Sequence, residues 1–434
     1  MNIHAEPLPY PMRHFTTKIN HEVELNTYRQ SLLCYMEAHK EGRYYDRFPC
    51  INHLLSPYEQ KNAILRAHFY LTFPGQSYKL SSLDRKKLSL IFIFLLLGLY
   101  LLKTNIYFYA LGQTVYLLQI AIKAAVSYKA LSVQPLRPVV SNMSPLPPYT
   151  IMIVLNGDSN DVANIVKTVE AMDYPKHLLD VKLIVRQEEV ENFRRIYVAD
   201  LPFYFHIIRI PELFLKTRSS ALNYAVQFAV GQYVVVYDSY DAPDPKQLKK
   251  VLAHFISLPE KYVCAQCKID FRNKNENLLT KCFSVEYKVW FQYFLGGLMQ
   301  CDMPILLSTS SAHFKTEYLR GVGYWDSCNV TQDIDLGLRI YLSNLRVSIL
   351  DSYTMSVAPS SLWGWIARRA RWIKGFILTL HMYLKQKRSH LAIRQRIVIK
   401  TIFILNCYAI IYRPLMFFFY GGAVQCLPKV VFYL

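Results

Sequence analysis

The sequence predicts an α/β fold, a mostly parallel sheet covered by helices, embedded between transmembrane helices. Two observations predict the sheet. Between residues 150 and 390, short runs rich in Val, Ile and Tyr alternate with stretches of helical periodicity. One such run, YVVVYD (Tyr233 to Asp238), ends in a carboxylate for which a buried strand has no use. Ligands on open α/β sheets bind beyond the carboxyl ends of the strands, which is where Asp238 would stand. A third observation predicts the membrane: residues 88–126 and 397–434 are almost continuously apolar.

Taken in order, residues 1–87 are polar, basic and rich in tyrosine, an N-terminal cytoplasmic region to which the sequence assigns no chemistry. The opening MNIHAEPLPYPMRHF lacks an apolar core, so no signal peptide is expected. Residues 88–126 as a single helix would run roughly 58 Å at 1.5 Å per residue, about twice a bilayer core. A transmembrane hairpin with its tip at Lys103 to Asn105 resolves the mismatch. DRKK (Asp84 to Lys87) before it and the Lys- and Arg-rich chain after it place both flanks in the cytoplasm. Residues 127–150 contain the proline-rich stretch of a linker. Within 151–358, YTIMIVL, DVKLIV, FHIIRI and YVVVYD read as strands, while Asp161 to Met172 and Arg218 to Val230 read as helices. Residues 359–390 carry an amphipathic helix, SSLWGWIARRARWIKGFILTLHMYL, whose cations and tryptophans suit a headgroup zone. Residues 397–434 hold two further spans divided at Tyr412 to Pro414.

Composition removes several function classes. The 434 residues are 52% apolar and 14% aromatic, which excludes a disordered chain. Nine scattered cysteines argue against a secreted disulfide scaffold, and CAQC (Cys264 to Cys267) lacks the second pair that a zinc site needs, so core thiols are expected. The net charge of +19 calls for an anionic partner. Nucleic acid would need a basic stripe on a soluble fold, which the apolar spans contradict. Anionic membrane lipids and a phosphorylated small molecule remain.

Three clusters carry candidate chemistry. Asp238, with Asp241 three residues on in YDSYDAPDP, could share a hard divalent cation that neutralises a pyrophosphate, or could simply shape a turn. Asp333 and Asp335 in VTQDIDLGLRI precede an amphipathic helix, where a carboxylate can also cap. In the interfacial helix Arg368, Arg369, Arg371 and Lys374 lie among Trp363, Trp365 and Trp372; a guanidinium such as Arg371 can grip a pyrophosphate with two parallel hydrogen bonds.

This order, a strand-end Asp cluster, T-x-D before a helix and RxxRW on an interfacial helix, resembles the membrane-embedded family-2 glycosyltransferases, the cellulose-synthase-like polysaccharide synthases. VEAMDYP, ALNYAVQFAVGQYVVVYD, FSVEYKVWF, VGYWDSCNVTQDIDLGLRI and RARWIKGF extend the likeness over roughly residues 85–434. The resemblance implies a Rossmann-like mixed sheet of GT-A type on the cytoplasmic face of the inner membrane, in a multi-pass protein. It implies inverting hexosyl transfer from a nucleotide-sugar, a UDP-sugar, to a glycan or lipid-linked acceptor. Asp333 matches the general base. Asp238 matches the first acid of the metal- and diphosphate-binding DxD for magnesium or manganese; the second acid falls on Tyr240, so either Asp241, one place late, swings in as a metal ligand or the metal is held by Asp238 and the diphosphate. Asp158 and Glu188 (or Glu189) match acids near the nucleotide, and Arg371 and Trp372 match the last two residues of QxxRW. His313 in STSSAHF falls on an acceptor-side loop. Other synthase subunits or further copies of the chain are implied partners. The chain departs from the pattern at Tyr240 for the second acid of DxD, Ser220 for a lysine before ALN, Gln332 for a glutamate and Arg368 for a glutamine. A nucleotide-sugar-binding or scaffolding subunit without catalysis is the alternative.

Overall fold

The structure, a computed structural model, describes residues 106–131, 145–155, 162–186, 196, 201–210, 217–327, 329–385, 393 and 395–404. The first arm of the expected hairpin, Asp158, Glu188, Glu189 and everything past residue 404 lie outside that set.

Eight strands form one sheet: β1 (Tyr149–Val154), β2 (Leu179–Arg186), β3 (Phe205–Ile210), β4 (Tyr233–Asp238), β5 (Ala242–Pro243), β6 (Tyr262–Phe271), β7 (Ala312–Lys315) and β8 (Arg346–Ser356), in the order β3-β2-β1-β4-β7-β6-β8-β5. The first four are parallel, as the alternation with helices requires. β7 runs antiparallel to both β4 and β6, which makes the sheet mixed. That inversion matters for the site: the residues entering β7 arrive at the same edge at which β4 ends, and Ser311 donates its N–H to the Val236 carbonyl at 2.9 Å.

Both faces of the parallel strands are buried; β1 and β4 read as apolar runs, whereas β2 carries the buried ion pair of Asp180 and Lys182 and β3 the buried His206. Met152, Val154, Val234 and Val236 enter one core with Phe283, Phe291, Phe314 and Trp325; Ile151, Ile153, Val235 and Tyr237 enter the other. Cys264 and Cys267 are buried free thiols in β6 that face different cores and share no ligand position.

The helices around the sheet are α1 (Ile106–Leu131), α2 (Val162–Glu170), α3 (Arg218–Ala225), α4 (Gln247–Ser257), α5 (Leu278–Lys288), α6 (Leu295–Gln300), α7 (Thr316–Gly321), α8 (Gln332–Leu342) and α9 (Leu362–Lys385), and residues 395–404 are helical again. α1 continues to Leu131, into the segment expected to be linker, since no Gly or Pro interrupts VSYKAL and the strong formers Lys, Ala and Leu end it. Within it Ala110–Leu131 is the one helix among the described residues long and apolar enough to cross a membrane, and most of it is exposed. α1 packs against α6 and a π-helical turn, Val289–Phe294. There a Cβ on Gly297 would overlap the Val126 carbonyl, so glycine alone permits the approach. Tyr287 and Phe291 pack into the core at helical spacing, as the sequence suggests.

Candidate active site

Asp238 is the last residue of β4, paired in register with Val154, the last residue of β1. The chain leaves β1 and β4 at this edge, and a small open cleft beside it is lined by Thr168, Met172, Asp238, Ser239 and Asp241. The Asp238 carboxylate forms an ion pair with Arg218 Nη1. Arg218 is the first residue of α3, whose N-cap Thr217 accepts the Ser220 N–H at 3.2 Å. Its Nη2 makes only a long 3.4 Å bond to the Thr309 carbonyl, and its Nε is buried without a hydrogen-bond partner among the described residues. Asp238, Asp333 and Asp241 all act electrostatically on this one guanidinium.

Asp241 turns inward. Its Oδ2 accepts the Asp238 N–H at 2.7 Å and the Ser310 hydroxyl. Burial, then the neighbouring Asp238 charge, pushes its pKa up to about 6, against the hydrogen bonds that favour the charged form. Tyr240 is 41% exposed, and its carbonyl accepts Arg272 Nη2 at 2.5 Å. Asp241 Oδ1 is buried without a hydrogen-bond partner among the described residues, an oxygen left open to a cation beside Asp238. The Asp238 carboxylate is balanced by a guanidinium, and Oδ2 of Asp241 is bound into the protein. Among the described residues no group of three or more His, Cys, Asp or Glu side chains is placed to hold a metal ion.

Asp333 opens α8, buried at 5% exposure. Its Oδ1 accepts the indole Nε1–H of Trp325 at 3.0 Å. Its Oδ2 is buried with no hydrogen-bond partner among the described residues. Burial raises its pKa to about 7, opposed mainly by Arg218. Asp335 accepts Arg339 Nε at 2.8 Å one turn along in an intrahelical ion pair, and Arg339 goes on to bind the Val322 and Tyr324 carbonyls.

The supports of Asp333 were not foreseen in the sequence. Asn223 of α3 donates to the Trp325 carbonyl at 2.7 Å and accepts the Trp325 N–H at 3.1 Å. Tyr324, with φ 53°, and Gly323, with φ 83°, make the turn that delivers Trp325. On the far side of Asp333, the segment 329–331 meets α9. Asn329 Nδ2 donates to Thr379 Oγ1 at 2.9 Å, and any Cβ on Gly375 would overlap the Thr331 side chain.

Arg371 lies one turn before Gly375, on the helix face that Gly375 and Thr379 press against 329–331. It is exposed and reaches none of the three carboxylates. Trp372 is half-buried, 6.0 Å from Tyr287 and 5.0 Å from the Arg369 guanidinium, so it braces α9 on α5. Arg369 itself pairs with Glu286.

His313 is corrected from a loop residue to a core residue. It lies within β7, fully buried, with Nδ1 2.7 Å from the Tyr149 hydroxyl and Nε2 3.3 Å from Gln247 Oε1. Burial lowers its pKa to about 3, so it stays neutral and packs the sheet beneath the site.

Glycosyl transferase family group 2 matches residues 233–428. The probable glycosyltransferase YdaM of Bacillus subtilis (strain 168) is 22% identical over 259 residues, which is 58% of this chain and 61% of that protein. The beta-monoglucosyldiacylglycerol synthase of Nostoc sp. is 23% identical over 247 residues, 53% of this chain and 49% of that protein. The matches thus span about half to three fifths of these relatives. Mannosyltransferase PcManGT of Pyrobaculum calidifontis, solved with GDP-Man and Mn2+, shares the fold at 15% identity with a TM-score of 0.52, covering 74% of this chain and 90% of that one. The mixed, helix-covered sheet fits the GT-A type, and family match and relatives together support a glycosyltransferase of family group 2.

Proposed function

We propose that the protein is an inverting transferase that moves a hexosyl unit from a nucleotide-sugar, a UDP-sugar, to a glycan or lipid-linked acceptor at the cytoplasmic face of a membrane. The observation that carries this reading is Asp333. One oxygen is fixed by Trp325, the other is buried and unpartnered, and its pKa is poised near neutrality. A carboxylate so placed can take the proton of an acceptor hydroxyl. The acceptor oxygen then bonds to the anomeric carbon from the side opposite the diphosphate. The bond from that carbon to the diphosphate oxygen breaks, and the nucleoside diphosphate leaves with the electron pair. The proton remains on Asp333.

The donor side is the edge where Asp238 and Arg218 meet. Asp158 and Glu188 are proposed to approach the nucleotide there, and Arg371 and Trp372 to border the diphosphate and acceptor. The named product of the Nostoc relative supports a lipid acceptor. The exposed apolar α1 and the tryptophan-bearing α9 support the membrane setting.

Donor turnover by the full chain in membranes, measured by mass spectrometry across UDP- and GDP-sugars, tests the reading. Asp333→Asn is expected to lower turnover by about three orders of magnitude while nucleotide affinity holds. Wild type as silent as Asp333→Asn across all donors, with nucleotide still bound, would establish the scaffolding alternative instead.

A further inference from the structure

Resting on the reading of Asp333 as the base, we infer that Asn223 is a positioning residue for the transfer, one that acts on Asp333 through Trp325. The two partners are remote in sequence. Asn223 stands inside α3, and Trp325 follows the turn at Gly323 and Tyr324, 102 residues on. Asn223 is wholly buried, and asparagine is a poor helix former whose amide competes with the backbone. Its place inside a short helix is accounted for by what the side chain holds. Nδ2 donates to the Trp325 carbonyl at 2.7 Å and to Ser327 Oγ at 3.2 Å, and Oδ1 accepts the Trp325 N–H at 3.1 Å. Both amide hydrogens are thus in use. The side chain engages the two backbone groups of Trp325 as a neighbouring strand would, at a point where the chain forms no strand.

With its backbone clamped, Trp325 keeps one ring position. Phe314 of β7 meets the indole edge to face, with centroids 5.8 Å apart at 86°. The indole is fully buried, and its Nε1–H reaches Asp333 Oδ1 at 3.0 Å. Among the described residues that is the only side-chain hydrogen bond to the Asp333 carboxylate, since Oδ2 has none. Removing the Asn223 amide would orphan a buried N–H and a buried carbonyl, which costs more than the bonds themselves contribute. Trp325 would shift to satisfy them, and the indole would leave the carboxylate. Arg218 of α3, Asp238 of β4 and the Cys264 thiol of β6 are the other titratable groups that act with Asp333. Substitution at 223 leaves all three side chains in the protein, so a change in the ionisation of Asp333 reports the indole bond.

The test is turnover of UDP- and GDP-sugars by the full chain in membranes, followed from about pH 5 to 9. Asn223→Ala is expected to raise the pH midpoint by about one unit and to lower turnover about tenfold at neutral pH. Asn223→Ser, whose hydroxyl can keep one of the bonds, should shift the midpoint about half as far. In the Trp325→Phe background, where the indole bond is already gone, Asn223→Ala should move the midpoint no further. A midpoint that stays at the wild-type value in Asn223→Ala while turnover or thermal stability falls would overturn the inference and leave Asp333 as the base. That is the mark of a residue that only packs. Shifts that add in the double variant would overturn it as well, and so would failure of both single Asn223 variants to fold where Trp325→Phe folds. Wild type without turnover, or Asp333→Asn as fast as wild type, would overturn the reading of the base and this inference with it.

Discussion

On the proposed function a single carboxylate, Asp333, decides the chemistry, and its ionisation is open to measurement. Asp333 must be charged to act as a base, and burial holds its pKa at about 7. Turnover should therefore climb with pH through about 7 and level off above it. Trp325→Phe removes the Nε1–H bond that favours the charged form. Its pH midpoint should move upward in the rate profile, with turnover down about tenfold at neutral pH. Asp333 and Asp238 were legible in the sequence because carboxylates at a helix start and a strand end are conspicuous among apolar neighbours. Arg218 carries a weaker signature, two residues before Ser220, the position where the resembled pattern has a lysine. The signal was there nonetheless: a lone arginine, after a threonine cap, in the first turn of a helix whose other residues are buried. Tyr240 was legible as a departure, but the inward turn of Asp241 depends on Ser310, which only the antiparallel β7 brings near.

Secondary elements were read with uneven success, for physical reasons. β1 to β4 are buried on both faces, so β1 and β4 appear as apolar runs between turns, and β2 and β3 keep enough Val, Ile and Leu around their buried polar residues to read as strands. β7 is four residues long and contains a histidine, and β8 alternates buried with exposed positions, RVSILDSYTMS, so neither carries that signature. The helices of the site are held by close approaches that one methyl group would break. Gly375 of α9 sits against Thr331, two residues from Asp333. Gly375→Ala should lever α9 away, costing about 1 to 3 kcal/mol in chemical unfolding and lowering turnover more than nucleotide affinity. An activity ratio unchanged from wild type would show that α9 does not position the base.

Across the whole molecule, buried ionisable groups set opposing responses to pH. His313 and His254 are held neutral by burial, at about 3 and about 4. Below the ordinary histidine range the unfolded chain takes up protons that the native one refuses, so their contribution to stability is lost as pH falls. Asp333 and Asp241 behave oppositely: raised to about 7 and about 6, they bind protons in the native state that the unfolded chain has released, and their contribution is lost as pH rises from about 4 towards 7. Asp333→Asn deletes one of the compensating acids. Its stability should fall more steeply than wild type on acidification between about pH 7 and 4, by at most about 1.4 kcal/mol per pH unit, in urea titrations at stepped pH. Unchanged slopes would mean that Asp333 is solvated rather than buried. The two-turn helix α3 draws these threads together, for Arg218 at its start pairs with Asp238 at the proposed donor edge and Asn223 near its end steadies the tryptophan that holds Asp333, the proposed base. Departure and attack are thereby yoked to one short rod. A nudge from an arriving nucleotide would travel less than two turns to reach the group that admits the acceptor, which favours an ordered cycle with the donor seated first and little sugar squandered on water.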